Sequence, residues 1–117
     1  MIWILTQVAL GGALGSVLRY LTIYAVGAPL ATLAINVAGS FAMGVCFVLL
    51  SSRTQLSPLL MTGVLGGFTT FSAFSLDTLK LWQTGQFGTA FGYVAASVGL
   101  SLLAVASGAT LTERLTA

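Results

Sequence analysis

The sequence has no histidine, a single cysteine and only two acidic residues, Asp77 and Glu113. The lone thiol, Cys46, sits in an apolar stretch and can build neither an intramolecular disulfide nor a cysteine-based metal or haem site. Without imidazole, and with both carboxylates placed near membrane edges, general acid-base and metal-assisted catalysis have almost nothing to work with. The chain reads as a non-enzyme. Basic residues are scarce too: Arg19, Arg53, Lys80 and Arg114 are scattered singly for a net charge of +2, and the lack of a basic run argues against a nucleic-acid partner.

What is present is apolar. The 117 residues are 57% hydrophobic and 5% charged, with a mean hydropathy of +1.05, which is the composition of an integral membrane protein. The charges cut the chain into apolar blocks, each able to supply the roughly 20 residues that a spanning helix needs at about 1.5 Å rise. The expected fold is therefore all-α: one transmembrane domain over residues 1–117. Its four spans are expected at about 2–24, 30–50, 58–82 and 87–111. The first block has no Lys or Arg before it and no small-residue cleavage site, so it is expected to stay in the mature protein. Gly27-Ala28-Pro29 makes the first turn and 51–58 the second loop, with Pro58 suited to a first helical turn. Glu113 and Arg114 are expected to end the fourth helix in water.

With an even number of spans the termini and the second loop share a side. Arg53 and Arg114 then lie opposite Arg19 and Lys80, and the Lys/Arg bias that orients membrane proteins is nil apart from the terminal amine. Such a chain can insert both ways up. Four helices also enclose little, so a transport path calls for an oligomer, and an antiparallel dimer reproduces the inverted arrangement that many transporters build within one chain.

The third block is poor helix material at its centre. Gly66-Gly67 costs roughly 1 kcal/mol per residue relative to alanine, and β-branched Thr69 and Thr70 follow. A break is expected there, and backbone released at bilayer depth has to be buried in protein or line a watery cavity. Elsewhere, Asn36, the sole asparagine, shares a helix face with Ser40 and Gly44, and Tyr93, Ser97 and Ser101 form a second stripe. Asn36 reads either as a pore amide or as a helix-to-helix hydrogen bond, since burial without a partner costs about 2 kcal/mol or more. An amide and hydroxyls without a membrane-embedded carboxylate offer donors to an anion and no fixed site for a cation. Phe71 and Phe74, three apart, are either packing or edge-on phenyls facing an anion. Arg19 reads as a snorkelling or a vestibule charge. Gly11, Gly12, Gly15 and Ser16 give the first helix a small face for tight packing.

The run Gly66-Gly67-Phe68-Thr69-Thr70-Phe71-Ser72-Ala73-Phe74-Ser75, with Asn36-Val37-Ala38-Gly39-Ser40 and Gly15-Ser16-Val17-Leu18-Arg19, resembles the Fluc (CrcB) fluoride-channel family over essentially the whole chain. The resemblance implies a dual-topology homodimer in the lipid of a bacterial inner membrane. It would pass fluoride passively out of the cytoplasm through two pores, around a central structural sodium ion. It implies that the backbone carbonyls of Gly66 and Thr69 hold the sodium. Phe71, Phe74 and Asn36 would carry the fluoride path, with Thr70, Ser72, Tyr93, Ser97 and Ser101 supplying hydroxyls and Arg19 at the vestibule. Ala73 departs from the family pattern, which more often has a hydroxyl there. Two other readings stand beside it. A small four-helix multidrug exporter needs a buried Glu in the first helix, which this chain lacks, and a non-transporting assembly subunit leaves the polar stripes unexplained.

The even Lys/Arg split yields a direct expectation. Accessibility labelling of a C-terminal tag in cells should find it on both membrane faces, and a tag confined to one face would refute dual topology.

Overall fold

The computed structural model describes residues 1–50 and 55–117. Arg53, expected in the second loop, lies outside the described residues. Helix α1 runs Ile2–Val26 and α2 Leu30–Leu49; the third span comprises a π-helical stretch Pro58–Leu65, a short α3 at Gly66–Phe68 and α4 at Phe71–Gln83; α5 covers Phe87–Thr116. Among the described residues four segments are long and apolar enough to cross a bilayer, Pro58–Gln83 being the broken one.

Most boundaries lie within two residues of those expected from charge spacing. The fourth helix is the exception. It continues to Thr116 and carries Glu113 and Arg114 in its last turns, where it was expected to stop near 111. Its 30 residues span about 45 Å, against a hydrocarbon core of about 30 Å. Leaving lipid removes no intrahelical bond, so the charged turns stay helical.

Interior burial is thin. The buried apolar residues are Ala31, Ile35, Phe74, Leu81, Ala90 and Tyr93, whereas large side chains such as Trp3, Phe47 and Leu103 face outwards. Lipid gives apolar side chains no incentive to turn inwards, so close backbone packing takes over the holding together. The small face of α1 supplies it against the third span. A methyl placed on Gly11 would sit 2.5 Å from Leu59 O and 2.9 Å from Gly63 Cα, and one on Gly15 would collide with Val64 O. Helices α2 and α5 make the same kind of crossing through glycines that the sequence reading did not assign to packing: a methyl on Gly44 would run into Val105 O and one on Gly108 into Phe41 O.

Several hydroxyls in the spans are silenced by bonding to the preceding turn, as in Thr22 Oγ1 to Leu18 O, Thr78 Oγ1 to Phe74 O and Thr112 Oγ1 to Gly108 O. Gln7, buried at the start of α1, donates from Nε2 to Gln55 O at 3.0 Å and ties this end to the entry of the third span. At the other end of that span Trp82 packs edge-on against Phe87, with centroids 4.4 Å apart, across the turn into α5.

Backbone-limited packing predicts a sharp contrast. Gly44→Ala should lower the unfolding free energy of the detergent-solubilised protein by about 1–3 kcal/mol, the usual cost of overpacking. Gly88→Ala, where an added methyl meets open space, should change it by less than about 0.5 kcal/mol. Denaturant titration followed by far-UV circular dichroism measures both.

Candidate functional site

The third span leaves helical geometry at two residues, Thr69 (φ −79°, ψ 155°) and Thr70 (φ −153°, ψ 122°). The break is where the sequence placed it, yet Gly66 and Gly67 stay helical. What turns the chain is a set of side-chain acceptors. Asn36 Oδ1 accepts the Thr70 N–H at 2.8 Å, and Asn36 Nδ2 donates to the Thr70 carbonyl at 2.9 Å. Thr70 Oγ1 then accepts the Ala73 N–H at 3.1 Å and caps α4. On the other side of the break the Thr69 N–H and Oγ1 both donate to Leu65 O, at 3.0 and 2.9 Å.

The interruption leaves carbonyls that a continuous helix would have used. Gly67 O accepts from Arg19 Nε at 3.1 Å, so the half-buried guanidinium is engaged with the break itself. The Thr70 and Ala73 amides, which a continuous helix would send to the Gly66 and Thr69 carbonyls, bond to side chains instead. These two carbonyls are the oxygens named by the resemblance as sodium ligands. Neutral carbonyl oxygens suit a hard cation, and Gly66 is exposed, so the residues present would fit one.

Beside the break is a cavity of about 410 Å³. Helix α2 contributes Asn36 and Ser40 to its wall, the third span Thr70, Phe71 and Phe74, and α5 Ser97 and Ser101. Among the described residues, none that lines it is charged. The two phenyl rings meet edge to face, with centroids 5.4 Å apart and an interplanar angle of 60°, yet they differ in exposure: Phe74 is 8% exposed and Phe71 77%. Ser97 Oγ is buried with no hydrogen-bond partner among the described residues, unlike the back-bonded hydroxyls elsewhere. Ser72 is exposed, off the cavity wall, with its Oγ 3.2 Å from Thr70 Oγ1. Ser40 is the lining hydroxyl that the sequence reading left out of the site, although its position four residues after Asn36 signalled a shared face.

Two expectations change. Asp77, placed near a membrane edge, is buried in α4 and accepts from the Tyr93 hydroxyl at 3.1 Å. Because the break restarts the helix at Phe71, Asp77 falls in the middle of α4 facing α5, and the interior does hold a carboxylate. Tyr93 accordingly lies off the cavity wall; its ring packs on Phe74 at 5.3 Å while its hydroxyl is committed to Asp77.

Comparison with known proteins bears on this arrangement. The family described as "CrcB-like protein, Camphor Resistance (CrcB)" matches residues 6–109. The chain is 56% identical over 112 residues to a Paracoccus denitrificans protein named "Fluoride-specific ion channel FluC", covering 90% of each chain. A protein of the same name from Cereibacter sphaeroides is 52% identical over 115 residues, covering 92% of this chain and 93% of its own. Another from Saccharophagus degradans is 47% identical over 117 residues, covering 92% and 88%.

The hydrogen bonding separates structural from uncommitted hydroxyls. Tyr93→Phe strips a buried carboxylate of its donor and should cost about 1–3 kcal/mol, whereas Ser97→Ala breaks no protein bond and should be close to neutral. Thermal unfolding of the purified protein in detergent tests this; equal losses in both variants would contradict the assignment.

Proposed function

The chain belongs to the CrcB-like family, and from that premise we propose that it is a fluoride channel of the inner membrane, exporting the ion passively from the cytoplasm. The single observation carrying this reading is the uncharged cavity, whose walls join Asn36, Ser97 and Ser101 to the edge-on pair Phe71 and Phe74. Fluoride is small and strongly hydrated, and a path for it has to replace water with close donors. Ser97 Oγ carries an uncommitted proton, and Asn36 Nδ2 has a second hydrogen beyond the one given to Thr70. Phenyl edges carry the positive part of the ring quadrupole and face an anion without competing for it strongly. The lack of a fixed cation on the wall favours throughput, since conduction requires sites strong enough to enter and weak enough to leave.

The functional unit is an antiparallel homodimer with two pores. Supporting this are the balanced Lys/Arg distribution and the outward exposure of Phe71 and Gly66. A sodium ion on the two-fold axis, when bound, supplies a structural positive charge held by the Gly66 and Thr69 carbonyls of both subunits. The residues of this chain release those oxygens, hold the break rigid through Asn36 and Thr70, and keep water-like donors along the cavity. Arg19 stands at the vestibule end of the break, where its charge raises local anion concentration while its Nε holds Gly67 O. A cation exporter is disfavoured because Asp77 lies off the cavity wall and is engaged by Tyr93.

Fluoride efflux from liposomes containing only this protein tests the function, with chloride as control. The parent should release fluoride and leave chloride inside. Phe71→Ile and Phe74→Ile keep the side-chain volume roughly but remove the ring edge, and Asn36→Leu removes the amide; each should slow fluoride release at least tenfold while the dimer still assembles, because volume-conserving swaps usually cost under about 1.5 kcal/mol. Parent-like efflux from all three dimers would reassign these residues to packing.

A further inference from the structure

A continuous helix through this region would direct the Thr70 N–H to the Gly66 carbonyl and the Ala73 N–H to the Thr69 carbonyl. Both donors are diverted, the first to Asn36 Oδ1 and the second to Thr70 Oγ1. The two oxygens proposed as cation ligands are thus the two whose helical donors have been claimed by side chains. Glycine flexibility does not account for the release. Gly66 has ordinary helical angles (φ −62°, ψ −37°), and a methyl added there would meet only Met61 O at 3.6 Å.

Resting on the reading above, we propose that Asn36 and Thr70 are positioning residues for the central cation: by accepting the Thr70 and Ala73 amides they hold the Gly66 and Thr69 carbonyls open before any ion binds. Each diversion exchanges one N–H···O bond for another, so these two donors lose nothing and the deficit they leave falls on the Gly66 and Thr69 oxygens. In lipid a carbonyl without a partner is costly, and at these two oxygens a hard cation meets that demand where an anion cannot. Asn36 fixes the first carbonyl from a neighbouring helix, and its reciprocal bond to Thr70 O keeps that residue extended. Thr70 fixes the second carbonyl as a helix cap. Asn36 thereby has two separable duties: its Oδ1 opens the cation site, and its side chain, which lines the cavity, keeps a second Nδ2 hydrogen. Phe71 has only the second kind of duty.

The test uses purified dimer equilibrated with radiolabelled sodium, passed through gel filtration, with the label retained per subunit counted. Parent, Thr70→Ser, which keeps the acceptor, and Phe71→Ile should retain equal amounts. Thr70→Val, which keeps the volume but loses the acceptor, and Asn36→Leu should retain at least tenfold less while eluting as dimers. Parent-like retention in Thr70→Val overturns the proposal, even if Asn36→Leu has lost fluoride efflux. An absence of label in the parent brings down the cation reading itself, a different failure. A second measurement needs no variant. In sodium-free parent, the Thr70 and Ala73 amides should remain protected from hydrogen exchange, because their acceptors are side chains and not ion-ordered backbone. Fast exchange at both sites in the sodium-free dimer also overturns the proposal.

Discussion

The reciprocal pair of hydrogen bonds between the Asn36 side chain and the Thr70 backbone is the contact on which the rest depends. A bilayer tolerates interrupted helix only where the freed groups find partners in protein or cavity. Asn36 takes one donor and serves one acceptor at the same residue, so Thr70 can stay extended in the middle of a span. From that follow the Thr70 cap on the Ala73 N–H and the start of α4 at Phe71. Arg19 contributes from the opposite side by engaging Gly67 O. Two helices, α1 and α2, thus bond to the backbone of the break, at Gly67 and Thr70.

Such convergence needs helix axes held at a fixed distance, and apolar side chains cannot supply it where lipid is as apolar as the interior. Glycine contacts do. Gly11 and Gly15 bring α1 against the π-helical stretch, and Gly12 lies against Gly67, where an added methyl would come within 2.7 Å of Gly12 O. Gly44 and Gly108 set the crossing of α2 with α5, the two helices that carry Asn36 and Ser97 to facing walls of the cavity. Backbone-to-backbone contact has no rotamers to relax, so the cavity walls hold their separation with little buried side-chain volume behind them.

The spans were legible because charge is costly in lipid and punctuates the chain, and the break was legible because Gly66-Gly67 and Thr69-Thr70 are poor helix formers. The cause of the break was not legible. It lies in a side chain 34 positions away that bonds to backbone, and backbone leaves no mark in sequence. The burial of Asp77 was not legible for a related reason. Its surroundings are set by where α4 restarts and by Tyr93, sixteen residues on. The π-helical stretch from Pro58 was equally invisible, since an i→i+5 bond such as Gly66 N–H to Met61 O asks for no special composition. Ser97 and Ser101 were placed correctly on one stripe by helical periodicity, and Tyr93 was on that stripe too. Periodicity tells which side of a helix a residue occupies; it cannot tell whether a hydroxyl there is free or already spent on a neighbour.

A two-residue interruption also solves an electrostatic problem that side-chain charges would complicate. A helix end presents carbonyls and a helix start presents N–H groups, with partial charges of opposite sign. In this chain α3 ends and α4 begins within the same few ångströms of bilayer depth, so one break offers acceptors on one flank and donors on the other. The capping hydrogen bonds sort these flanks. Asn36 and Thr70 occupy amides that would otherwise neutralise the carbonyl flank, while the cavity flank keeps hydroxyl and amide protons that are not tied back to the preceding turn. A carboxylate placed on either flank would blur the distinction, repelling an anion from one and trapping a cation on both. Asp77 is kept from doing so by being withdrawn into the α4–α5 contact, where the Tyr93 hydroxyl satisfies it. The break therefore sets a carbonyl flank beside a donor-bearing cavity flank within a few residues of one span.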